Sequence, residues 1–178
     1  MFINLKCILL DNKMTSMQGF MDGSYGMRQM YNKFRCKEKP VLDYTILQGL
    51  SQNPMGKQFL SLITDLTIRN MYNSAIIPYT LFVPVDINTK GMDSYETRRF
   101  LLGHTCNHQL NFSFLKSSKG MYINSMIPDD RILVENVSKD TTDSPLINSC
   151  SKIIGIQYIG KSCIYYLDKD FPINLPAY

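Results

Sequence analysis

Two histidines and a cysteine alternate in His104-Thr105-Cys106-Asn107-His108, and these are the chain's only histidines. In an extended strand, residues i, i+2 and i+4 project to one face. Imidazole nitrogen and thiolate sulfur gathered on one face are donors that zinc or copper accepts. His104, Cys106 and His108 are therefore the candidate metal ligands. A closed site needs a fourth donor, and none stands nearby in the sequence, so neither a metal nor any other cofactor is assigned. A Cys/His nucleophile pair would also need an oxyanion hole, which nothing in the sequence indicates. No catalytic residue is assigned, and the chain reads as non-enzymatic.

The carboxylates offer little more. Asp129-Asp130 follows Pro128 and reads as a turn, because neighbours in an extended chain point to opposite faces. Asp168 and Asp170 stand two apart and can share a side. No glycine-rich phosphate loop is present, so no small-molecule substrate is assigned. Arg98-Arg99 reads as a solvated helix face. In the first 40 residues, Met27, Met30, Tyr31 and Phe34 fall at i, i+3, i+4 and i+7, with Arg28, Lys33 and Arg35 off that stripe. Arg28, Met30, Tyr31, Lys33, Phe34 and Arg35 are the candidate contacts of a partner-binding arm. Basic residues interleaved with Tyr25, Tyr31 and Phe34 are also what a nucleic-acid stacking platform uses, but their density is too low to favour it.

The elements that must position these residues are legible in outline. Pro78-Tyr79-Thr80-Leu81-Phe82-Val83-Pro84-Val85-Asp86 reads as a short buried strand ending near Pro84, which donates no backbone hydrogen bond. Before it, Asp43 is expected to cap a helix carrying Tyr44, Ile46, Leu47 and Leu50, and Asn53-Pro54 to start another. Phe59, Leu62, Ile63 and Leu66 repeat as one amphipathic helix. After it, Asp93 and Glu96 form a capping-box start for a helix stopping at Gly103. Strands are then expected at His104–Leu115, Met121–Met126, Arg131–Val137, Ile153–Ile159 and Ser162–Leu167, with Ile154, Ile156 and Tyr158 on one face. Gly160-Lys161 suits a hairpin turn, Ser117–Gly120 another turn, and Asp140–Ser144 a polar loop.

The chain has 178 residues, and 44% of them are apolar. That suits one globular domain with an extension and argues against disorder. The net charge of +4 lies wholly in residues 1–40, where seven basic residues face three acidic ones. The remainder is balanced at twelve against twelve. A basic arm with six of the eleven methionines suits an acidic or irregular partner surface. Five cysteines without a CxxC pair suggest a reducing compartment rather than a disulfide framework. Lys6 and Asp11 interrupt the apolar start, so a secretory signal is not expected, and no run has transmembrane length. Asn111-Phe112-Ser113 and Asn136-Val137-Ser138 match the glycosylation pattern, which matters only for a secreted chain. Alanine occurs only at 75 and 177 and tryptophan is absent, as an A+T-rich genome would produce.

Three stretches, in order, resemble the fasciclin domain family over about residues 41–172. Thr80-Leu81-Phe82-Val83-Pro84-Val85-Asp86 is similar to the family's first box. Leu101-Leu102-Gly103-His104 is similar to its helix end and Tyr-His pair. Cys163-Ile164-Tyr165-Tyr166-Leu167-Asp168 is similar to its second box. Gly103 stands in place of the tyrosine, Tyr165 in place of a histidine, and Lys161-Ser162 where Asn-Gly is usual. The resemblance implies an α+β fold with helices packed on a β-wedge or sandwich, and a non-catalytic recognition role. It makes Thr80, Phe82, Pro84, Asp86, His104, Ile164 and Asp168 structural. The expected organisation is a basic arm at 1–40, the fasciclin-like domain at 41–172 and a tail at 173–178. The expected function is a structural protein-interaction module among the subunits of a larger assembly, in the virion or cytoplasm, concretely a minor capsid-associated protein of a large DNA virus. The alternatives are a secreted or surface adhesion module and a metal-binding domain. Nucleic acid and membrane are not expected partners.

Overall fold

A computed structural model describes residues 44–117, 120–135 and 144–173. The expected arm, Asp43, Ser118-Lys119, Asn136, residues 140–143 and the tail beyond Ile173 lie outside the described residues. The fold is α+β. Helices α1 (Ile46–Gln52), α2 (Lys57–Ser61, after a 3-10 turn at Pro54–Gly56) and α3 (Leu66–Tyr72) precede strand β1 (Thr80–Pro84). Helix α4 (Ser94–Gly103), β2 (Thr105–Cys106) and α5 (Phe112–Ser117) follow. The chain then forms β3 (Met121–Asn124), β4 (Arg131–Glu135), β5 (Leu146–Ile147), β6 (Ser151–Ile159) and β7 (Ser162–Leu167). The sheet runs β2-β1-β7-β6-β5-β4-β3, antiparallel throughout except for the parallel pair β1–β7.

Local chemistry explains most helix ends. Asp93 and Glu96 close the expected capping box, and α4 stops at Gly103. Asn53 accepts from the Met55 N–H with Pro54 behind it, but this start opens a 3-10 turn before α2. The cap of α1 is Thr45, not Asp43. The Thr45 hydroxyl accepts from the Gln48 N–H, and Gln48 Oε1 accepts from the Thr45 N–H. The single helix expected through Leu66 is two. Leu62 and Ile63 close short turns on Phe59 and Leu60, and Asp65 restarts the chain by accepting from the Thr67 and Ile68 N–H groups. Phe59 and Ile63 are buried, whereas Leu66 is 69% exposed. The Ile68 N–H leads the causes that hold the Asp65 carboxyl below its ordinary pKa, with Thr67 and Arg98 adding to it. Arg98 is thus ion-paired with Asp65 rather than simply solvated, and Arg99 lies over the Tyr95 ring at 5.7 Å.

Strands β1 and β7 are buried at every position. A strand covered on both faces must be apolar on both, which is why each reads as a nearly unbroken apolar run. Leu81, Val83, Ile164 and Tyr166 pack toward the helices with Ile46, Leu50, Phe59 and Leu101. Phe82, Cys163, Tyr165 and Leu167 pack toward the other side with Leu115, Ile123, Ile132, Val134 and Ile147. The β3–β5 end of the sheet therefore shares a second core with the outer face of its own centre. Pro84 breaks no ladder bond. The Phe82 N–H bonds His104 O on the β2 side and the Val85 N–H bonds Leu167 O on the β7 side. Alternation turns position 84 toward β2, which pairs only with Thr80 and Leu81.

Three strand expectations change. The strand over His104–Leu115 is a two-residue strand, a turn and α5, whose Leu115 N–H bonds Asn111 O. Strand β5 was not foreseen; two residues are too few to show a period. Ile154 does not share a face with Ile156 and Tyr158. A bulge between Ile153 and Gly155 sends Ile154 to the helix side and leaves the other two in the second core. Gly160, at φ 53°, makes the two-residue turn into β7.

Gly49 lies inside α1, where alanine is the better helix former by about 1 kcal/mol. A Cβ there would overlap Ile159 Cδ1 on β6. Gly49→Ala is expected to destabilise by about 1–3 kcal/mol through overpacking. Ile159→Val removes the blocking methyl, so the double variant should be clearly more stable than the two single losses added together. Urea unfolding of the four proteins measures this coupling.

Candidate functional site

The turn after β2 brings several candidate residues to one end of the sheet but does not unite them. His104 ends α4, fully buried between the rings of Phe100 and Phe171, with centroids 4.2 and 4.0 Å away. Its Nδ1 lies 2.9 Å from Phe100 O and its Nε2 3.1 Å from Asp170 Oδ1. Both ring nitrogens are thus occupied. Cys106 is buried in β2, and burial pushes its thiol well above the usual range, with Cys163 and Asp130 adding to the effect. His108 is exposed, its Nδ1 3.0 Å from Asn107 Oδ1. The strand ends at Cys106, so the alternation that would have aligned the three does not exist. Among the described residues no three His, Cys, Asp or Glu side chains stand close enough to hold a metal ion.

The residues assigned by resemblance have definite places. The Thr80 hydroxyl donates to His108 O at 2.7 Å and accepts from the Leu110 N–H at 2.8 Å. Leu110 O in turn accepts from the Tyr165 hydroxyl at 2.6 Å and the Cys163 thiol at 3.1 Å. The centre of the sheet therefore pins the 108–110 turn by its backbone. Phe82 stacks on Tyr165 at 5.6 Å, and Ile164 is buried on the helix side. Asp168 Oδ1 accepts from the Lys152 N–H at 2.7 Å and joins the ends of β6 and β7. Asp86 is exposed. Of the Asp129-Asp130 turn, Asp129 is exposed at φ 65°, and Asp130 is buried against the Ser125 hydroxyl.

The pinned turn forms one wall of a cleft of about 450 Å³. His108, Gln109, Leu110, Asn111 and Phe114 line that wall, and strand β3 lines the other. Asn111 caps α5 through the Phe114 N–H at 2.7 Å, which sets Phe114 at the cleft. Phe114 is 43% exposed and Tyr122 61% exposed. The sequence reading named neither as a site residue. Placing Phe114 in a strand concealed it. Tyr122 carried no usable signal, because an aromatic in a short uncharged strand suits an interior strand as well, and strand order alone places it at the end of the sheet. The candidate arm residues Arg28, Met30, Tyr31, Lys33, Phe34 and Arg35 lie outside the described residues.

No protein-family model matches the chain, and no curated protein matches it. No helix among the described residues is long and apolar enough to cross a membrane.

Thr80→Val keeps the shape but leaves the Leu110 N–H and the His108 C=O without their partner. A loss of about 1–3 kcal/mol is expected, because a buried polar group left unpaired bears its desolvation penalty. Thr80→Ser restores the hydroxyl and should recover most of it. Equilibrium urea unfolding of the three proteins checks the order.

Proposed function

We propose that the protein is a non-enzymatic structural module that works by binding other proteins. In this reading a fasciclin-like body carries the basic, methionine-rich arm as a second contact, and the protein is a minor capsid-associated component of a large DNA virus particle. The observation that carries the protein-binding reading is the pair of exposed aromatics, Phe114 and Tyr122, in one cleft at the β3 end of the sheet. Large, partly exposed aromatic side chains at a concave edge favour a protein partner. The reactive groups support the same reading. His104 is enclosed, burial pushes the Cys106 thiol up, and it raises the Cys163 thiol to about 11. A thiol held in that range is a poor nucleophile near neutral pH. The particle assignment draws its support from the arm's charge, the cysteine usage and the scarcity of alanine.

Density-gradient fractionation of the native source, with quantitative mass spectrometry and limited proteolysis, tests this. The protein should migrate with particles at a fixed ratio. Residues 1–40 should be protected there and cut in the free protein. A free monomer in the native source, or an extracellular form carrying a glycan at Asn111, would overturn the proposal.

A further inference from the structure

We propose that strand β3 accepts an extended, uncharged peptide segment of a protein partner, which adds to the sheet as a further strand along the Phe114/Tyr122 cleft. The inference rests on the protein-binding reading above and specifies its partner. Among the described residues, strand β3 is the last strand of the sheet and its one paired neighbour is β4. The Leu133 N–H bonds Asn148 Oδ1, and Leu133 O accepts from the Asn148 N–H, so Leu133 faces the β5 side. Alternation then turns Ile132 and Val134 toward β3, where they meet Ile123 and Met121. Tyr122 and Asn124 are left with their backbone N–H and C=O groups directed away from β4, into the cleft that both residues line. These groups recur every two residues, which is the repeat of an extended chain.

The two sheet edges differ. At the β2 edge, Thr105 O accepts from the Met126 N–H at 2.8 Å, so the chain covers its own edge. Within its four described residues, Met-Tyr-Ile-Asn, the β3 edge has no lysine, no proline and no bulge, the features that usually protect an edge. The chemistry of the cleft selects its occupant. Among the described residues its lining contains amides, one imidazole and apolar or aromatic groups, with no carboxylate, ammonium or guanidinium. An incoming charged side chain would lose hydration and find no counter-charge among these groups. An uncharged strand instead gains backbone hydrogen bonds from β3 and apolar contact with Phe114 and Tyr122. Backbone bonds give such a complex its affinity, and alternate side chains give its selectivity.

The test is to pan a phage-displayed library of random peptides on the full-length protein and synthesise the selected sequences. The selected peptides should lack Asp, Glu, Lys and Arg across their binding core. They should slow amide hydrogen exchange at Tyr122 and Asn124. Backbone N-methylation at alternate peptide positions should weaken binding at least about tenfold in one register and spare the other. Asn124→Pro deletes an outward-facing N–H along with the amide side chain, removes no β3–β4 ladder bond, and should abolish binding. Should that variant fail to fold, the N-methylated peptides still decide. No selected binder, a charged consensus, unchanged exchange at both amides, or their protection by self-association without peptide would each overturn the inference. The fractionation experiment reads the broader proposal separately: a protein that migrates with particles but binds no peptide at β3 retains its structural role and loses this cleft.

Discussion

The parallel pairing of β1 with β7 is the constraint on which the rest of the structure depends. It joins Thr80 to Cys163, and each residue through Pro84 to its counterpart, across more than eighty residues of intervening chain. Loop-closure entropy opposes such a contact until both strands are buried. Burial on both faces is what the two cores provide. Helices α1–α4 cover one side, and α5 with the β3–β5 end of the sheet covers the other. The same pairing sets Thr80, Cys163 and Tyr165 side by side on the second face, where together they hold His108 and Leu110. The cleft wall is therefore an extension of the sheet's centre.

That centre was the most legible part of the sequence. Thr80–Val85 and Cys163–Leu167 are apolar without alternation, the mark of strands hidden on both faces, and Pro84 correctly set where β1 ends. The Asp93/Glu96 box and the Gly160 turn were equally clear, because a cap or a tight turn is written in two or three adjacent residues. What failed was the inference of continuity. Phe59 to Leu66 keeps a helical period through a break that Asp65 creates, and the period alone does not show it. His104–Leu115 looked like one strand because β-favouring residues cover a turn and a short helix as well. The bulge between Ile153 and Gly155 inverted the face of Ile154, and a bulge is settled by the partner strand rather than by the residues themselves.

The site was less legible, for a related reason. His104, Cys106 and His108 looked like ligands only under the strand assumption. Once α4 runs up to His104 and β2 ends at Cys106, one histidine is enclosed by aromatics and the other faces solvent. The cleft is formed by residues distant in sequence, Asn111 and Phe114 against Tyr122 and Asn124, and its character comes from which strand ends the sheet. Strand order is a tertiary property. Nothing in Met-Tyr-Ile-Asn marks an edge strand, since it lacks the charges that edges usually carry.

Native-state hydrogen exchange across a denaturant series tests most directly whether the β1–β7 pair anchors the fold. The amides of Val85 and Cys163 bond across that pair, to Leu167 O and Tyr79 O. They should exchange only through global unfolding, while amides of β3 and β4 open earlier and at lower free energy. If Val85 and Cys163 exchange by local opening while β3 and β4 remain protected, the edge rather than the centre holds the fold together, and the account is wrong.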